Sequence, residues 1–154
     1  MHWYCKTGHV QCPPIDLSLD KRARRIQIHS PSELRPVLER LEIWMRFLGY
    51  PRKDIFAVNL ALHEAAINAF RHGNRGDSTK YVHVTFRVDV AEVLVEVQDQ
   101  GRGFDPDLVP DPLAEEFLDR PGGRGLFLMR VYMSWLAFNP QGNRVTMCRL
   151  RSDV

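Results

Sequence analysis

The sequence lacks the features that mark membrane-spanning, secreted and zinc-binding proteins. Its 154 residues contain no run of about 18 apolar residues, so no transmembrane helix is predicted. The N-terminal stretch has no apolar core of the kind found in signal peptides. The three cysteines form no CxxC pair, which argues against a disulfide framework and a zinc site. We therefore expect a cytoplasmic protein with reduced thiols and no contact with a membrane.

An excess of charge of one sign is also missing. The chain has 21 Lys and Arg against 19 Asp and Glu, a formal net charge of +2. Nucleic-acid-binding domains usually carry a concentrated basic face. The one basic cluster, in residues 21–25, directly precedes an apolar stretch and is more typical of a solvated strand edge. Direct contact with nucleic acid is therefore not predicted.

The length fits one domain with a single core. Residues 1–20 show no hydrophobic period and contain Pro13 and Pro14, so we expect an irregular N-terminal arm. Periodic patterns begin after this segment, with a short strand over residues 25–29. We assign the folded domain to residues 21–154.

Two helices are predicted next. Ser30 followed by Glu33 has the spacing of a capping box, and apolar residues then recur at helical spacing until Gly49. A second helix opens near Pro51 and runs towards His72. It is apolar on nearly every side, which predicts that it is largely buried.

The remainder of the chain reads mainly as strands. The predicted elements are strands over residues 81–88 and 92–98, a helix over 126–133, and strands over 135–139 and 144–151. Short turns make each strand pair an antiparallel hairpin, and a long Gly-, Pro- and Asp-rich loop spans residues 99–125. Helices and strands do not alternate regularly, so the class is α+β with an antiparallel or mixed sheet.

Polar residues interrupt the second helix in one place. Glu64 and Asn68 are four residues apart and Arg71 follows at i+7, which puts all three near one face of a regular helix. A carboxylate buried without a partner costs several kcal/mol, order of magnitude. Either a ligand with a metal ion or an internal pair such as Glu64 with Arg71 would satisfy it.

A second polar cluster follows the strand that ends near residue 98. Asp99 comes at the strand end, and Gly101 and Gly103 follow before Phe104. Glycines let the backbone approach a ligand closely, and the carboxylate can accept hydrogen bonds from an exocyclic amine. An ordinary glycine turn is the alternative for this segment taken alone.

The third cluster is a glycine-rich turn before the last predicted helix, running from Gly122 and Gly123 through Arg124 to Gly125 and Leu126. Free N–H groups and the positive dipole end at a helix N-terminus suit phosphate. The segment is not a Walker A loop, because no GK[ST] follows. It is not a full dinucleotide fingerprint either, because no βαβ unit surrounds it.

Taken in this order and spacing, the three clusters resemble the N, G1 and G2 boxes of the GHKL (Bergerat-fold) ATPase superfamily. The stretch GGRGLFLMRVYM and the HGN after the second helix are more specifically similar to the anti-sigma factor serine kinases of the RsbW and SpoIIAB type. The resemblance covers residues 24–150. It implies a Bergerat α+β fold, with a mixed, mostly antiparallel sheet covered on one face by helices.

The resemblance also implies a role for individual residues. Glu64 would be the general base, Asn68 would hold Mg²⁺ against the triphosphate of ATP, and Asp99 would read the adenine amine. Residues 106–121 would form a lid over the phosphates. The implied nucleotide-binding set is Asn68, Arg71, Asp99, Gly101, Gly103, Phe104, Arg120, Gly123, Arg124, Gly125, Leu126, Asn143 and Thr146. Asn143 stands where the family often has threonine beside a glycine, and Thr146 is the nearest threonine.

The function implied by the resemblance is an ATP-dependent protein-serine kinase that acts as an anti-sigma factor. Its partners would be a sigma factor and a STAS-type anti-anti-sigma protein that it phosphorylates, and a homodimer is a family-based expectation. The alternative is an ATP-binding regulatory module that binds a partner without kinase activity. The catalytic domain of a histidine kinase is disfavoured, because the helix before Pro51 has no histidine in its interior.

Overall fold

Alternating apolar residues fold into a six-stranded sheet in the computed structural model, which describes residues 2–5, 15–109 and 124–153. The strands are β1 His2–Cys5, β2 Arg24–Ile28, β3 Val82–Val88, β4 Glu92–Gln98, β5 Trp135–Phe138 and β6 Arg144–Leu150. Their order across the sheet is β1-β5-β6-β4-β3-β2. Every pairing among these strands is antiparallel, so both predicted hairpins, β3–β4 and β5–β6, are confirmed.

Helices cover one face of this sheet, as predicted. They are α1 Leu34–Phe47, α2 Arg52–Asn68 and α3 Gly125–Tyr132. One residue in two along each central strand packs against them, for example Val93, Val95 and Val97 of β4. Within the described ranges, none of these helices is both long enough and apolar enough to cross a bilayer.

The opposite face of the sheet carries a second, smaller apolar cluster. Its buried members are Leu17, Leu94, Trp135, Ala137 and Cys148, with Ile15 packed against them. Residues 15–20 therefore cross this face as a partial cover. Leu17–Leu19 form a short 3₁₀ turn within this cover.

The expectation of an irregular arm over residues 1–20 is wrong for residues 2–5, which form β1. His2–Cys5 pair with β5 in an antiparallel register, because the open edge of β5 offers N–H and C=O groups that need partners. A strand of four residues is too short to show a period in the sequence.

The start of the first helix also differs from the prediction. A 3₁₀ turn over Pro31–Glu33 precedes α1, and the Ser30 hydroxyl bonds to that of Ser32 at 2.8 Å rather than capping the helix. The Glu33 carboxylate accepts from the His29 amide at 3.0 Å, one residue further back than a capping box requires. The predicted capping box is therefore wrong, while Gly49, with φ of 75°, does end α1.

The end of α2 departs from a regular helix at the functional segment. After Asn68 the chain makes a π turn over Ala69–Gly73, in which the Asn74 amide donates to the Ala69 carbonyl at 2.8 Å. A π turn contains one more residue than an α turn, so it rotates the residues after it relative to α2. Single π turns are frequent at functional sites, and this one borders a cavity between the helices and the sheet.

Candidate functional site

A cavity of about 320 Å³ lies between α2, α3 and the helix-facing side of the sheet. Its volume falls within the range of small-molecule sites, roughly 300–1,000 Å³. Most of the wall is apolar, and its members include Ala65, Ala69, Val97, Met129, Phe138 and Val145. Five polar or charged residues also line it: Asn68, His72, Asp99, Asn143 and Arg144. A mainly apolar cavity of this kind suits an aromatic ring, and its few polar groups can fix the orientation of that ring by hydrogen bonds.

Asp99 marks one end of the cavity, immediately after β4. Its Oδ1 accepts a hydrogen bond from the Gly101 amide at 2.7 Å. Burial raises the pKa of the Asp99 carboxyl above its usual value, while the Gly101 bond and the charge of Lys80 oppose that rise. A partly desolvated carboxylate gains from an additional donor, so this end of the cavity favours a ligand with an N–H group.

The backbone around Asp99 is packed too tightly to admit side chains. A Cβ at Gly73 would lie 2.2 Å from Cγ of Asp99, and one at Gly101 would lie 2.1 Å from the carbonyl oxygen of Gly73. The π turn and the exit of β4 therefore touch through backbone atoms. This contact places the carboxylate against the end of α2.

Two loops close the same end of the cavity. Gly103 has φ of 81°, and a Cβ there would lie 1.8 Å from the carbonyl oxygen of Gln141 in the β5–β6 turn. Phe104 packs edge-on against Phe138 with ring centroids 5.3 Å apart. The Asp99 amide donates to the carbonyl of Asn143 at 3.0 Å, which ties the β5–β6 turn to the exit of β4.

The other end of the cavity joins α2 to the start of α3. A Cβ at Gly125 would lie 2.9 Å from Oε2 of Glu64 and 3.0 Å from Nδ2 of Asn68. The first amides of α3 have no partner within the helix and form a positive dipole end. The glutamate and asparagine therefore meet a helix N-terminus of the kind that binds anions. The Glu64 side chain keeps 26% of its surface exposed, so it is open to solvent from the outside.

The internal ion pair of Glu64 with Arg71, one of the two alternatives open from the sequence, does not form. Among the ion pairs of the described residues, Glu64 has a contact only with Nδ1 of His63, at 4.0 Å. Arg71 is exposed and does not line the cavity, because the π turn carries it off the face shared by Glu64 and Asn68. The i+7 spacing assumed an uninterrupted α-helix.

Thr146 is the other predicted nucleotide contact that does not line the cavity. It follows the cavity-lining Val145 along β6, so it points to the opposite face of the sheet. Its hydroxyl donates to Oε2 of the buried Glu96 at 3.0 Å. Burial raises the pKa of the Glu96 carboxyl, which the Thr146 bond and Arg144 partly offset.

The remaining predicted residues divide between the cavity and the part of the chain without described positions. Gly103, Phe104, Gly125, Leu126 and Asn143 all line the cavity. Gly101 donates its amide to the Asp99 carboxylate, and the exposed Arg124 occupies the N-cap position of α3 without a side-chain capping bond. Arg120, Gly123 and all but the first four residues of the predicted lid over 106–121 lie outside the described residues.

Sequence reasoning missed several residues of the wall. Gly73 and His72 line the cavity, although the HGN segment that contains them served only as a sign of resemblance. Met129 and Phe138 also line it, although their pattern indicates only ordinary apolar residues of α3 and β5. Strand and helix periodicity identifies such residues as inward-facing but does not separate a cavity wall from a packed core.

Comparison with known proteins agrees with this geometry. The family model described as "Histidine kinase-like ATPase domain" matches residues 29–149. Serine-protein kinase RsbW of Bacillus licheniformis is 34% identical over 98 residues, covering 56% of this chain and 58% of the relative. Serine/threonine-protein kinase BtrW of Bordetella bronchiseptica is 34% identical over 85 residues, covering 54% and 60%. RsbW of Bacillus velezensis is 32% identical over 94 residues, covering 56% and 58%.

These matches cover only 58–60% of the length of those relatives. The match to the domain family, in contrast, spans most of the present chain and includes all three polar clusters. The chain belongs to the family of histidine kinase-like ATPase domains.

Proposed function

We propose that this protein binds Mg·ATP in the cavity and transfers the γ-phosphoryl group to a serine of a partner protein. The observation that carries the proposal is the meeting of Glu64, Asn68 and Gly125 at the N-terminus of α3. This arrangement combines a proton acceptor, a metal-ligand side chain and an anion-binding helix end at one point. Phosphoryl transfer depends on positioning and charge stabilisation of this kind.

The Asp99 end of the cavity fits an adenine ring. Apolar side chains of β4, α3 and β5 supply the walls for the ring, and Asp99 supplies a carboxylate acceptor for its amino group. Because that carboxyl is partly desolvated, the hydrogen bond with the amine would recover part of the cost of its burial. Adenine fits this site better than a base that presents a carbonyl oxygen there.

The Gly125 end fits the phosphates. Asn68 would hold Mg²⁺ together with phosphate oxygens, since this ion prefers oxygen ligands and usually keeps several from substrate or water. When bound, the ion neutralises charge on the phosphates. Gly125 lets the backbone of α3 approach Asn68 and Glu64. Its amide and those that follow at the helix N-terminus would donate to the phosphate oxygens.

Glu64 would accept the proton of an attacking hydroxyl. A general base must lie within hydrogen-bond reach of the group that it deprotonates. The exposed part of this carboxylate faces outward, beside the phosphate end of the cavity, where a side chain of another protein can approach. This access favours a protein substrate over transfer to a group within the cavity.

The names of the relatives support the choice of acceptor and partners. RsbW is described as a serine-protein kinase and BtrW as a serine/threonine-protein kinase. We extend this activity to the present chain, with a sigma factor and a STAS-type antagonist as the partners and a homodimer as the assembly. A cytoplasmic location is part of the same proposal.

The test begins with thermal unfolding with and without Mg·ATP for the wild type, Asn68→Ala and Asp99→Ala. Ligand at 100 times its dissociation constant adds about 2.7 kcal/mol of stability. That corresponds to a rise in Tm of roughly 5–10 °C for a chain of this size. We expect this rise in the wild type and its loss in both variants; a wild type without a shift would refute ATP binding in the cavity.

Transfer is tested separately, because a regulatory module would also bind ATP. Purified chain, Mg·ATP and a purified STAS-domain protein encoded beside it are incubated, and serine phosphorylation is followed by mass spectrometry. Phosphate on the STAS protein that depends on Glu64 establishes the kinase. Binding of ATP and of the partner without phosphate transfer would assign the chain as a regulatory module instead.

A further inference from the structure

Asn74 is a polar side chain buried beside the cavity without being part of its wall. It keeps only 1% of its surface exposed. Its Nδ2 donates to the carbonyl of Tyr81 at 3.0 Å, and its Oδ1 accepts from the amide of Gln100 at 2.9 Å. Its own amide donates to the carbonyl of Ala69. One residue therefore joins the π turn, the segment entering β3 and the segment leaving β4.

These bonds fix the two backbone segments that lie on either side of the Asp99 carboxylate. Gln100 directly follows Asp99 in the chain, so fixing its amide fixes the exit of β4. Gly73 directly precedes Asn74, and its Cα faces Asp99 closely enough that a Cβ would overlap the carboxylate. Asn74 thus fastens together the two backbone segments between which the carboxylate lies.

The position of this carboxylate matters because a hydrogen bond is sensitive to distance. Donor and acceptor must lie about 2.7–3.2 Å apart, and the interaction weakens steeply when the geometry is lost. Adenine presents an amino donor at the position where guanine presents a carbonyl oxygen. A fixed carboxylate attracts the first and repels the second, whereas a displaced one discriminates less.

We propose that Asn74 is a positioning residue that holds Asp99 in place and thereby sets a preference for adenine over guanine nucleotides. The inference rests on the ATP binding proposed above. It assigns Asn74 a role through Asp99, with no contact of its own with the nucleotide. A role in stability alone would lower Tm but would leave the ratio of the two nucleotide affinities unchanged.

The experiment measures the dissociation constants of Mg·ATP and Mg·GTP by calorimetry, with competition for the weaker ligand, on the purified full chain. Asn74→Ala is compared with wild type and with Asn59→Ala. Asn59, on α2, is a matched control, since its Nδ2 donates to Oε2 of Glu42 at 3.2 Å and it does not line the cavity. We expect Asn74→Ala to lower the ATP-to-GTP affinity ratio about tenfold, and Asn59→Ala to leave it unchanged.

Amide hydrogen exchange of the wild type provides a measurement that does not depend on the variant folding. We expect the Gln100 amide to be protected already without nucleotide, because Asn74 holds it in the free protein. Rapid exchange there would overturn the inference, as would an unchanged affinity ratio in Asn74→Ala. A wild type that binds neither nucleotide would overturn the proposed function together with this inference. An unchanged affinity ratio in an Asn74→Ala variant that still binds ATP would overturn this inference alone.

Discussion

The close approach of Gly73 to Asp99 yields the sharpest prediction. In Gly73→Ala the new Cβ would start 2.2 Å from Cγ of Asp99, far inside van der Waals contact. Gly73 is not among the glycines with positive φ, so alanine fits the backbone and we expect the variant to fold. The overlap must be relieved by moving the carboxylate or the π turn by about 1 Å, which exceeds the tolerance of a hydrogen bond.

The size of the effect follows from the bond that is lost. A hydrogen bond to a charged group contributes roughly 1.5–3 kcal/mol, so a loss near 2.7 kcal/mol would weaken ATP binding about a hundredfold. At a concentration 100 times the wild-type dissociation constant, stabilisation by ATP would fall from about 2.7 to about 0.4 kcal/mol. The rise in Tm would shrink from roughly 5–10 °C to about 1 °C.

The assay is thermal unfolding at fixed Mg·ATP, with Gly76→Ala as the control. Gly76 has φ of 70°, and a Cβ added there would have no atom within 4 Å. Alanine at this position therefore strains the backbone by about 1 kcal/mol without touching the cavity. The control should melt lower than the wild type and keep the full ATP-induced rise. If Gly73→Ala also kept that rise, Asp99 would not be positioned by this contact and the reasoning would be refuted.

Three further predictions concern single side chains. Glu64→Gln should keep the ATP-induced rise in Tm but slow phosphate transfer to the partner by roughly 10²–10⁴-fold, since it removes only the proton acceptor; an unchanged rate in a single-turnover assay would exclude that role. Burial raises the pKa of Asp99 above its value of 3.8 in the unfolded chain, so its ionisation opposes folding once the pH rises through the folded pKa. Without nucleotide, Asp99→Asn should therefore melt higher than the wild type at pH 7, with the difference shrinking as the pH falls through the folded pKa and disappearing below pH 3.8; a lower Tm at pH 7 would contradict this. Thr146→Val should destabilise the protein, because Glu96 loses a donor, yet leave the affinity for ATP measured by calorimetry unchanged; weaker ATP binding would return Thr146 to the site.

Local pattern was sufficient to predict much of this architecture. Alternating valines predicted the β3–β4 hairpin, and helical spacing predicted α1 and α2. The i, i+4 spacing of Glu64 and Asn68 places them on one face because both lie before the π turn. These are short-range properties, fixed by backbone geometry within a few residues.

One error of prediction was local, and another depended on a contact between segments that are distant in the chain. The capping-box pattern failed because a 3₁₀ turn let Glu33 reach the His29 amide instead. The N-terminal strand was missed because it forms only on the edge of β5, more than 100 residues away along the chain. Pairing across such a separation leaves no signal in a four-residue segment.

By itself the sequence determined the types and order of the helices and strands from β2 onwards, and the three clusters of polar and glycine residues. The tertiary structure alone decided which members of those clusters share the cavity. It excluded Arg71 through the π turn, turned Thr146 to the opposite face through the alternation of β6, and made Asn74 a link between three segments. The physical reason is that burial, register and hydrogen bonding between distant segments depend on which surfaces meet, and that is settled only when the chain has folded.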